Sequence, residues 1–266
     1  MSNYETIEMT VSEGVATILL NRPDRLNAWT HKMGYEMQQA LKAGNASDEV
    51  GAFVVTGAGR GFCAGADVKD LFAAQADSGE VDQGSSEAGN WIDVVRGSKP
   101  VVAAVNGAAI GVGLTQILPM DFIVAASGAK LSCRFIKMGL VPELASSHFL
   151  IARCGLGKAS ELMLSGKTVD AEEAERIGLV DQVVDGAELL SVATSIARSM
   201  GDNPQVALQM VKQLITQNMM EKDLLEVQRR EGKALKECYK SAEHKEAIAA
   251  FLEKREPDFQ KARATE

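Results

Sequence analysis

The feature that most constrains the fold is a series of short apolar segments, each closed by glycine or asparagine. Residues 53–56 lead into a glycine-rich run, Val101–Val105 ends at Asn106-Gly107, and a third such segment covers residues 122–125. Continuous apolar segments of this length are typical of strands buried on both faces, as in parallel sheets. The pattern therefore predicts an α/β protein built from stacked β-α units.

Further strands and helices complete this first part of the chain. Residues 6–11 and 15–20 alternate like the two strands of a hairpin, and a helix is predicted from about Thr30. Residues 67–72 and 111–118 have the composition of helices that follow glycine-rich turns. Residues 75–89 are rich in glycine, serine and acids, which is typical of a mobile loop.

The pattern becomes mostly helical after Leu144. Asp170 is a predicted N-cap, residues 179–184 form a short predicted strand, and Asn203-Pro204 opens another helix. Two further amphipathic helices extend to about Arg255. We expect a small helical region that packs on the core or on a neighbouring subunit. The helix after Pro204 has an apolar face of Val206, Met210, Val211, Leu214 and Ile215.

The charge balance excludes several functional classes. The 36 acidic and 28 basic residues give a formal net charge of −8, which argues against a nucleic-acid-binding protein and against a polybasic membrane anchor. No apolar run is long enough for a bilayer, and residues 1–10 lack the features of a secretory signal. We therefore expect a cytoplasmic protein whose 4 cysteines are reduced thiols outside any zinc site.

Two glycine-rich turns, residues 57–67 and 106–115, each follow an apolar strand and lead into a helix. Glycine allows backbone N–H groups to approach a ligand closely, and one N–H from each turn could hold a developing oxyanion. The first turn contains GxGxG, although its spacing departs from the dinucleotide fingerprint. Packing turns without a ligand stay an open interpretation. The chain has neither a GxSxG elbow nor a P-loop, which argues against a triad hydrolase and a P-loop NTPase.

Four elements, in order along the chain, carry a resemblance to a known family. Asn21-Arg22-Pro23 with Leu26-Asn27-Ala28 resembles its NRP…LNA element, and residues 61–68 (GFCAGADV) resemble its F-x-A-G-x-D-[LIV] loop. Residues 99–107 (KPVVAAVNG) and the SG…AEEA…GLV pattern of residues 165–180 match its later elements. Together they identify the chain as a member of the crotonase (enoyl-CoA hydratase/isomerase) superfamily.

The resemblance implies a fold, an assembly and a ligand. The fold is a crotonase-like spiral of ββα units over residues 1–200, followed by a helical trimerisation region over residues 201–266. The expected assembly is a homotrimer or a dimer of trimers. The ligand is an acyl-CoA thioester, so coenzyme A enters as part of the substrate and no separate cofactor or metal is expected.

The resemblance also assigns site residues. It places the oxyanion hole at the backbone N–H groups of Ala66 and Val112, a role that needs no particular side chain. Asp67 is expected to shape the loop, and Arg25 and Lys69 are candidates to meet CoA phosphates. The full set implied to contact the substrate or coenzyme A is Arg25, Leu26, Ala28, Ala64, Gly65, Asp67, Val68 and Gly111.

The acidic residues of the site distinguish between the reactions known in this family. Familiar hydratases of this family use two glutamates, whose positions correspond here to the pocket residues Thr115 and Phe135. Neither side chain is an acid or base at neutral pH. Glu143, in residues 139–147 (GLVPELASS), resembles the single catalytic acid of one branch of enoyl-CoA isomerases. Its sequence neighbours supply no cation, and an apolar pocket raises the pKa of a carboxyl group.

The favoured function is therefore isomerisation of 3-enoyl-CoA to 2-enoyl-CoA, with Glu143 as the proton shuttle. Hydration of 2-enoyl-CoA at the same site is the first alternative. A non-catalytic acyl-CoA-binding protein with the same fold is the second. Without the resemblance, Glu143 is also explained as an acidic residue in the first turn of a helix, where the helix dipole favours negative charge.

Overall fold

The computed structural model describes residues 4–67 and 89–264. The apolar segments of this part of the chain form strands, as predicted. The predicted helix over residues 67–72 and the loop over residues 75–89 lie almost entirely outside the described residues. The strands are β1 (Ile7–Ser12), β2 (Val15–Leu20), β3 (Ala52–Gly57), β4 (Gly61–Cys63), β5 (Val101–Val105), β6 (Ala108–Ile110), β7 (Phe122–Ala126), β8 (Lys130–Ser132), β9 (Thr168–Asp170) and β10 (Gln182–Val184).

Two sheets organise these strands. The larger sheet has the order β1-β2-β3-β5-β7-β10, in which β1 and β2 form an antiparallel hairpin and every later pair is parallel. The smaller sheet has the order β4-β6-β8-β9, with β9 antiparallel to β8. Each of β3, β5 and β7 is followed by a strand of the smaller sheet, so the chain passes repeatedly between the sheets. This architecture confirms the predicted α/β class.

Helices cover the sheets and form the C-terminal region. The helix α1 begins directly after Thr30, whose side chain accepts from the backbone N–H of Met33, as expected for an N-cap. The helices are α1 (His31–Asn45), α2 (Trp91–Arg96), α3 (Val112–Thr115), α4 (Ser146–Ser165, kinked at Gly155), α5 (Ala171–Arg176), α6 (Leu189–Gly201), α7 (Gln205–Asn218), α8 (Leu224–Cys238), α9 (Ala242–Glu253) and α10 (Phe259–Arg263).

Some predicted bounds were wrong. The helix expected over residues 111–118 has its α-helical part only at Val112–Thr115, and the strand expected over residues 179–184 is limited to Gln182–Val184. The helix Phe259–Arg263 was not predicted. None of the helices in the described part of the chain is both long and apolar enough to cross a membrane. The division of the chain at residues 200 and 201 stays a prediction.

The larger sheet is buried on both faces, which explains its continuous apolar strands. Residues such as Phe53, Val55 and Ala103 face the main core, which includes α1 and the smaller sheet. The alternate residues, such as Val54 and Val102, pack with Leu189, Ala193 and Ala197 of α6. Because both faces are covered, the carboxyl ends of β3 and β5 are held in fixed positions beside the smaller sheet.

The helix α7 contacts the core through a buried charged side chain, Lys212, which is 5% exposed. Val211 and Ile215 of the predicted apolar face are 52% and 55% exposed in the single chain, so the packing of this face on a neighbouring subunit stays a prediction. The Lys212 Nζ donates to Oδ2 of Asp121 at 2.7 Å, and Arg96 donates to Oδ1 at 2.9 Å. Asp121 therefore joins α2 and α7 to the start of β5, where it also accepts from the backbone N–H of Val101.

Glu243 of α9 joins α7 and α10. This fully buried side chain accepts from the first two N–H groups of α7, those of Gln205 and Val206, at 2.8 and 3.0 Å. It also accepts from Arg263 of α10 at 2.7 Å. The carboxylate replaces the missing cap at α7, because the preceding Pro204 has no side-chain acceptor.

The substitution Lys212→Met tests the energetics of this buried cation. Burial lowers the pKa of Lys212 to about 8, although the charge of Asp121 acts in the opposite direction. Removing one partner of a buried ion pair is destabilising, because the other charge stays buried without it. Since Arg96 still pairs with Asp121, we expect the free energy of unfolding at pH 7 to fall by only about 1.5–3 kcal/mol, the range for one lost hydrogen bond to a charged group.

The contribution of Lys212 to the free energy of unfolding changes with pH in a defined direction. Above pH 8 native Lys212 releases a proton that the unfolded chain keeps, so the native protein gains stability from this group as the pH rises from about 8 toward the ordinary lysine range. Urea unfolding at several pH values should show this rise in the parent protein, relative to Lys212→Met. A variant that is as stable as the parent protein at pH 7 would contradict the account.

Candidate active site

The candidate site begins with the short turn that follows β2. The buried side chain of Asn27 accepts from the backbone N–H of Arg22 at 2.8 Å. Its amide donates to the carbonyl oxygens of Ala58 and Gly61 at 2.9 and 2.8 Å. These bonds hold Leu26 and Asn27 in left-handed conformations, with φ of 49° and 54°. The NRP…LNA element therefore fastens this turn to the first glycine-rich segment.

Arg22 fastens the same turn to Asp67. Its guanidinium donates to Oδ2 of Asp67 at 2.9 Å and to the carbonyl oxygen of Ala28 at 2.5 Å. Both partners of the ion pair are largely shielded from solvent. Asp67 thus has the contacts expected of a residue that shapes the loop.

The first arm of the site, residues 61–67, runs beside residues 26–29. The N–H of Ala64 donates to the Leu26 carbonyl at 3.0 Å, and the N–H of Trp29 donates to the Gly65 carbonyl at 2.8 Å. The N–H of Asp67 donates back to the Trp29 carbonyl at 2.8 Å. Trp29 and Ala66 thus form a parallel β-bridge. The backbone N–H of Ala66 has no acceptor among the described residues, so it is available to a ligand.

The second arm of the site is residues 110–115, at the start of α3. Gly111 has φ 55° and ψ −121°, a conformation that is essentially restricted to glycine. Its N–H donates to the Ser132 carbonyl at 2.9 Å, and its carbonyl accepts from Leu114 and Thr115. The N–H of Val112, the first residue of the helix, has no acceptor within the described part of the chain.

The two arms are in direct backbone contact. Cys63 pairs with Ala109 in the parallel register of β4 and β6. A Cβ placed on Gly113 would lie 2.1 Å from the Cys63 carbonyl oxygen, and one placed on Gly65 would lie 3.4 Å from the Ile110 carbonyl oxygen. The structure therefore brings the turns of Ala66 and Val112 together, each with an unused N–H group.

A third segment, residues 133–145, leaves the smaller sheet directly after β8, beside Gly111. It contains the 3₁₀ turn Arg134–Met138, in which half-buried Phe135 packs against the main core. Glu143 follows in the irregular stretch before α4. The predicted pocket residue Phe135 and the predicted catalytic residue Glu143 therefore lie on the same segment.

The backbone after Glu143 is strained. Leu144 and Ala145 both adopt left-handed conformations, with φ of 55° and 54°, although neither is glycine. Such a conformation costs about 1–3 kcal/mol for each residue, and strain of this kind clusters at functional sites. The carbonyl of Glu143 accepts from the backbone N–H and the hydroxyl of Ser146, which fixes the residue relative to α4.

The electrostatic environment of Glu143 has two opposing parts. The surrounding protein removes water and raises the pKa of its carboxyl above the usual range, whereas the charge of His31 lowers it. Glu143 is exposed in the single chain, so its carboxyl is only partly removed from water. His31 was missed by the sequence analysis, which found no cation near Glu143, because only the fold brings α1 to this segment.

The remaining predicted residues have different placements. Thr115 is fully buried on α3, and Arg25 is exposed at the end of the 3₁₀ turn Pro23–Arg25. Val68 and Lys69 lie outside the described residues. No cluster of three or more potential ligands in residues 4–67 and 89–264 is arranged to hold a metal ion.

Comparisons with known proteins agree with this architecture. Residues 10–262 match the family model described as enoyl-CoA hydratase/isomerase. The chain is 36% identical to a 1,2-epoxyphenylacetyl-CoA isomerase of Escherichia coli K12, over 96% of this chain and 98% of that protein. It is 35% identical to a Rhizobium meliloti protein named "Probable enoyl-CoA hydratase", over 97% and 98% of the two chains.

A solved structure shows the same fold. The crystal structure of an enoyl-CoA hydratase from Polaromonas sp. JS666 superposes with a TM-score of 0.87 and 33% identity. The match covers 95% of this chain and 98% of that chain. Together with the family model, it confirms the resemblance and the fold predicted from the sequence.

The substitution Gly113→Ala tests the contact between the two arms. The added methyl group would overlap the Cys63 carbonyl oxygen, so the backbone of one of the two arms must move. We expect the free energy of unfolding to fall by about 1–3 kcal/mol, as for overpacked cores. The matched control is Gly128→Ala, since a Cβ there meets nothing within 4 Å. Equal unfolding free energies of the two variants in urea would contradict the contact.

Proposed function

The chain belongs to the enoyl-CoA hydratase/isomerase family, and from this premise we propose that it converts 3-enoyl-CoA to 2-enoyl-CoA. The observation that carries the proposal is one carboxylate, Glu143, on the segment that leaves the sheet beside two unused backbone N–H groups. Coenzyme A is part of the substrate, and the proposed chemistry needs no further cofactor.

The backbone N–H groups of Ala66 and Val112 would bind the thioester carbonyl oxygen. Negative charge develops on this oxygen when a proton leaves C2, and fixed donors stabilise the charge without reorganising. The donors are held by the close contact of Gly113 with Cys63 and by the ion pair of Arg22 with Asp67. The proposed oxyanion hole therefore depends on the fold rather than on particular side chains.

Glu143 would carry the proton. As a carboxylate it accepts the C2 proton of the 3-enoyl thioester, and the double bond shifts to give a dienolate. The protonated carboxyl then donates to C4, which yields the 2-enoyl thioester and restores the carboxylate. A raised pKa favours the protonated intermediate state, and burial at Glu143 acts in this direction.

Hydration of 2-enoyl-CoA is the alternative at the same site. Several relatives carry hydratase names, which supports it. A two-acid mechanism would need a second acid or base, and the corresponding positions are occupied by Thr115 and Phe135. The isomerase name of the Escherichia coli relative favours chemistry in which no water is added. A non-catalytic acyl-CoA-binding role is the second alternative, which predicts binding without turnover.

The proposed assembly is a homotrimer or a dimer of trimers. Exposed apolar side chains on the Glu143 segment and on α4 support it, because surfaces of this kind mark contacts between proteins. The apolar side chains are Ile136, Met138, Leu140, Val141, Ile151, Leu156 and Leu164.

Two further parts of the proposal concern the coenzyme and the location. Exposed Arg25 is the proposed contact for a CoA phosphate. The four free cysteines support a reducing, cytoplasmic location.

The substitution Glu143→Gln tests the proposed shuttle. The amide keeps the shape of the side chain but can neither take nor return the proton. We expect kcat for 3-enoyl-CoA to fall by about 10²–10⁴, the usual contribution of a general acid or base. The KM should change little, because the N–H groups of the two arms still bind the thioester. The measurement is the rate of 2-enoyl-CoA formation with purified protein.

The matched control is Glu49→Gln, at an exposed glutamate outside the three segments of the site, which should keep the parental rate. Addition of water to 2-enoyl-CoA without conversion of 3-enoyl-CoA would support the hydratase alternative instead. Tight binding of both thioesters without turnover would support the non-catalytic alternative.

The substitution His31→Gln tests the electrostatic environment of Glu143. The reaction needs ionised Glu143 in the free enzyme, so kcat/KM should fall at low pH as this group is protonated. Protonated His31 lowers the pKa of Glu143, and its removal raises this pKa. We therefore expect the acidic limb of the pH profile to move to higher pH in His31→Gln. A limb that moves to lower pH would contradict the assignment.

A further inference from the structure

Consecutive left-handed residues that carry side chains occur at two places in the described part of the chain, and both lie in the candidate site. Among the described residues, six non-glycine residues have φ between 48° and 57°. Glu13, in the hairpin turn, and Lys254, at the end of α9, are single left-handed residues, which are common at turns and helix ends. The other four form the pairs Leu26–Asn27 and Leu144–Ala145.

The first pair is compensated by hydrogen bonds, whereas the second is not. The buried Asn27 side chain makes three hydrogen bonds to the backbone, and asparagine tolerates the left-handed conformation. Leu144 and Ala145 have no polar side-chain atoms, and Ala145 is exposed, so its methyl group adds little packing. Glycine would occupy position 145 at a lower cost in free energy. The stability of this turn therefore does not explain the alanine.

The turn is clamped on both sides of Ala145. Leu144 packs against the main core on one side. On the other side, the hydroxyl and the N–H of buried Ser146 donate to the carbonyl oxygen of Glu143. The carbonyl of Ala145 itself accepts from the N–H of Phe149 in the first turn of α4, at 3.1 Å. These contacts hold the backbone in a conformation that an alanine rarely adopts.

The position of the Glu143 carboxyl depends on this turn. Within the described part of the chain no hydrogen bond ends at this carboxyl, and the side chain is exposed in the single chain. A residue with a Cβ has a small left-handed region, at φ of about +50 to +70°, whereas glycine occupies a much wider one. Ala145, with φ 54° and ψ 23°, therefore allows less backbone rotation beside Glu143 than a glycine would.

We propose that Ala145 is a positioning residue for the proton transfer, because its left-handed backbone, clamped between Leu144 and Ser146, keeps the Glu143 carboxyl in one place. This inference rests on the proposed function, in which one carboxyl serves both C2 and C4 of the substrate. Such a carboxyl must stay within reach of both carbon atoms, since a displacement of about 1 Å can lower a rate by about 10²-fold. The strained turn thus serves the rate of the reaction at the expense of stability.

The substitution Ala145→Gly tests the inference. Glycine relieves the strain and removes only an exposed methyl group, so the midpoint of urea unfolding should rise. The wider freedom of the backbone should lower kcat for 3-enoyl-CoA by about tenfold. The KM should change little, because the N–H groups of Ala66 and Val112 are untouched. Ala145→Asn should keep about the parental kcat, because asparagine has a Cβ and tolerates the left-handed region.

The matched control is Lys254→Gly. Lys254 is an exposed left-handed residue with φ of 57°, and it lies outside the three segments of the site. Its replacement by glycine should also raise the midpoint of urea unfolding, whereas kcat and KM should stay parental. The comparison separates the relief of strain from the loss of a fixed Glu143.

The outcomes separate the inference from the proposed function. A parental kcat in Ala145→Gly would overturn the inference and leave the function intact, as would an equal loss of kcat in Ala145→Asn or in Lys254→Gly. A lower unfolding midpoint of Ala145→Gly would show that the turn is not strained, and would also overturn the inference. A parental rate in Glu143→Gln would contradict the proposed function itself.

Discussion

The close contact of two backbone turns is the constraint on which the rest of the site depends. Gly113 lies against the Cys63 carbonyl with no room for a side chain, and this packing sets the positions of Ala66 and Val112. The contact is possible because β4 and β6 are parallel neighbours that each follow a strand of the larger sheet. The larger sheet is buried on both faces, so its strand ends are rigid supports for the two turns.

A site built from backbone donors leaves its side chains free to vary. The N–H groups can stabilise an oxyanion whatever residues stand at positions 66 and 112, and the acid or base comes from elsewhere. In the proposed mechanism it is Glu143, on a segment strained at Leu144 and Ala145 and anchored by Ser146. Thr115, which is fully buried on α3, is neither an acid nor a base at neutral pH, so the proposed chemistry depends on one acid.

Local patterns predicted the strands and caps but not the long-range contacts. Val101–Val105 and the Asp170 cap were predicted because an apolar run and an N-cap are recognisable from neighbouring residues. The motif of Arg22 and Asp67 identified the first arm through a resemblance. The effect of His31 on Glu143 and the burial of Lys212 were not predictable, because each pairs residues far apart in sequence. The apolar pattern of α7 stays untested at Val211 and Ile215, which are exposed in the single chain.

The central claim is that one carboxylate both removes and returns the proton. Its most direct test is a single turnover of 3-enoyl-CoA that carries deuterium at C2, with the product analysed for the position of the label. The account predicts 2-enoyl-CoA in which part of the deuterium has moved to C4, because Glu143 carries it there before exchange with water is complete. A product that never carries deuterium at C4, with a solvent proton delivered there in every turnover, would contradict the account.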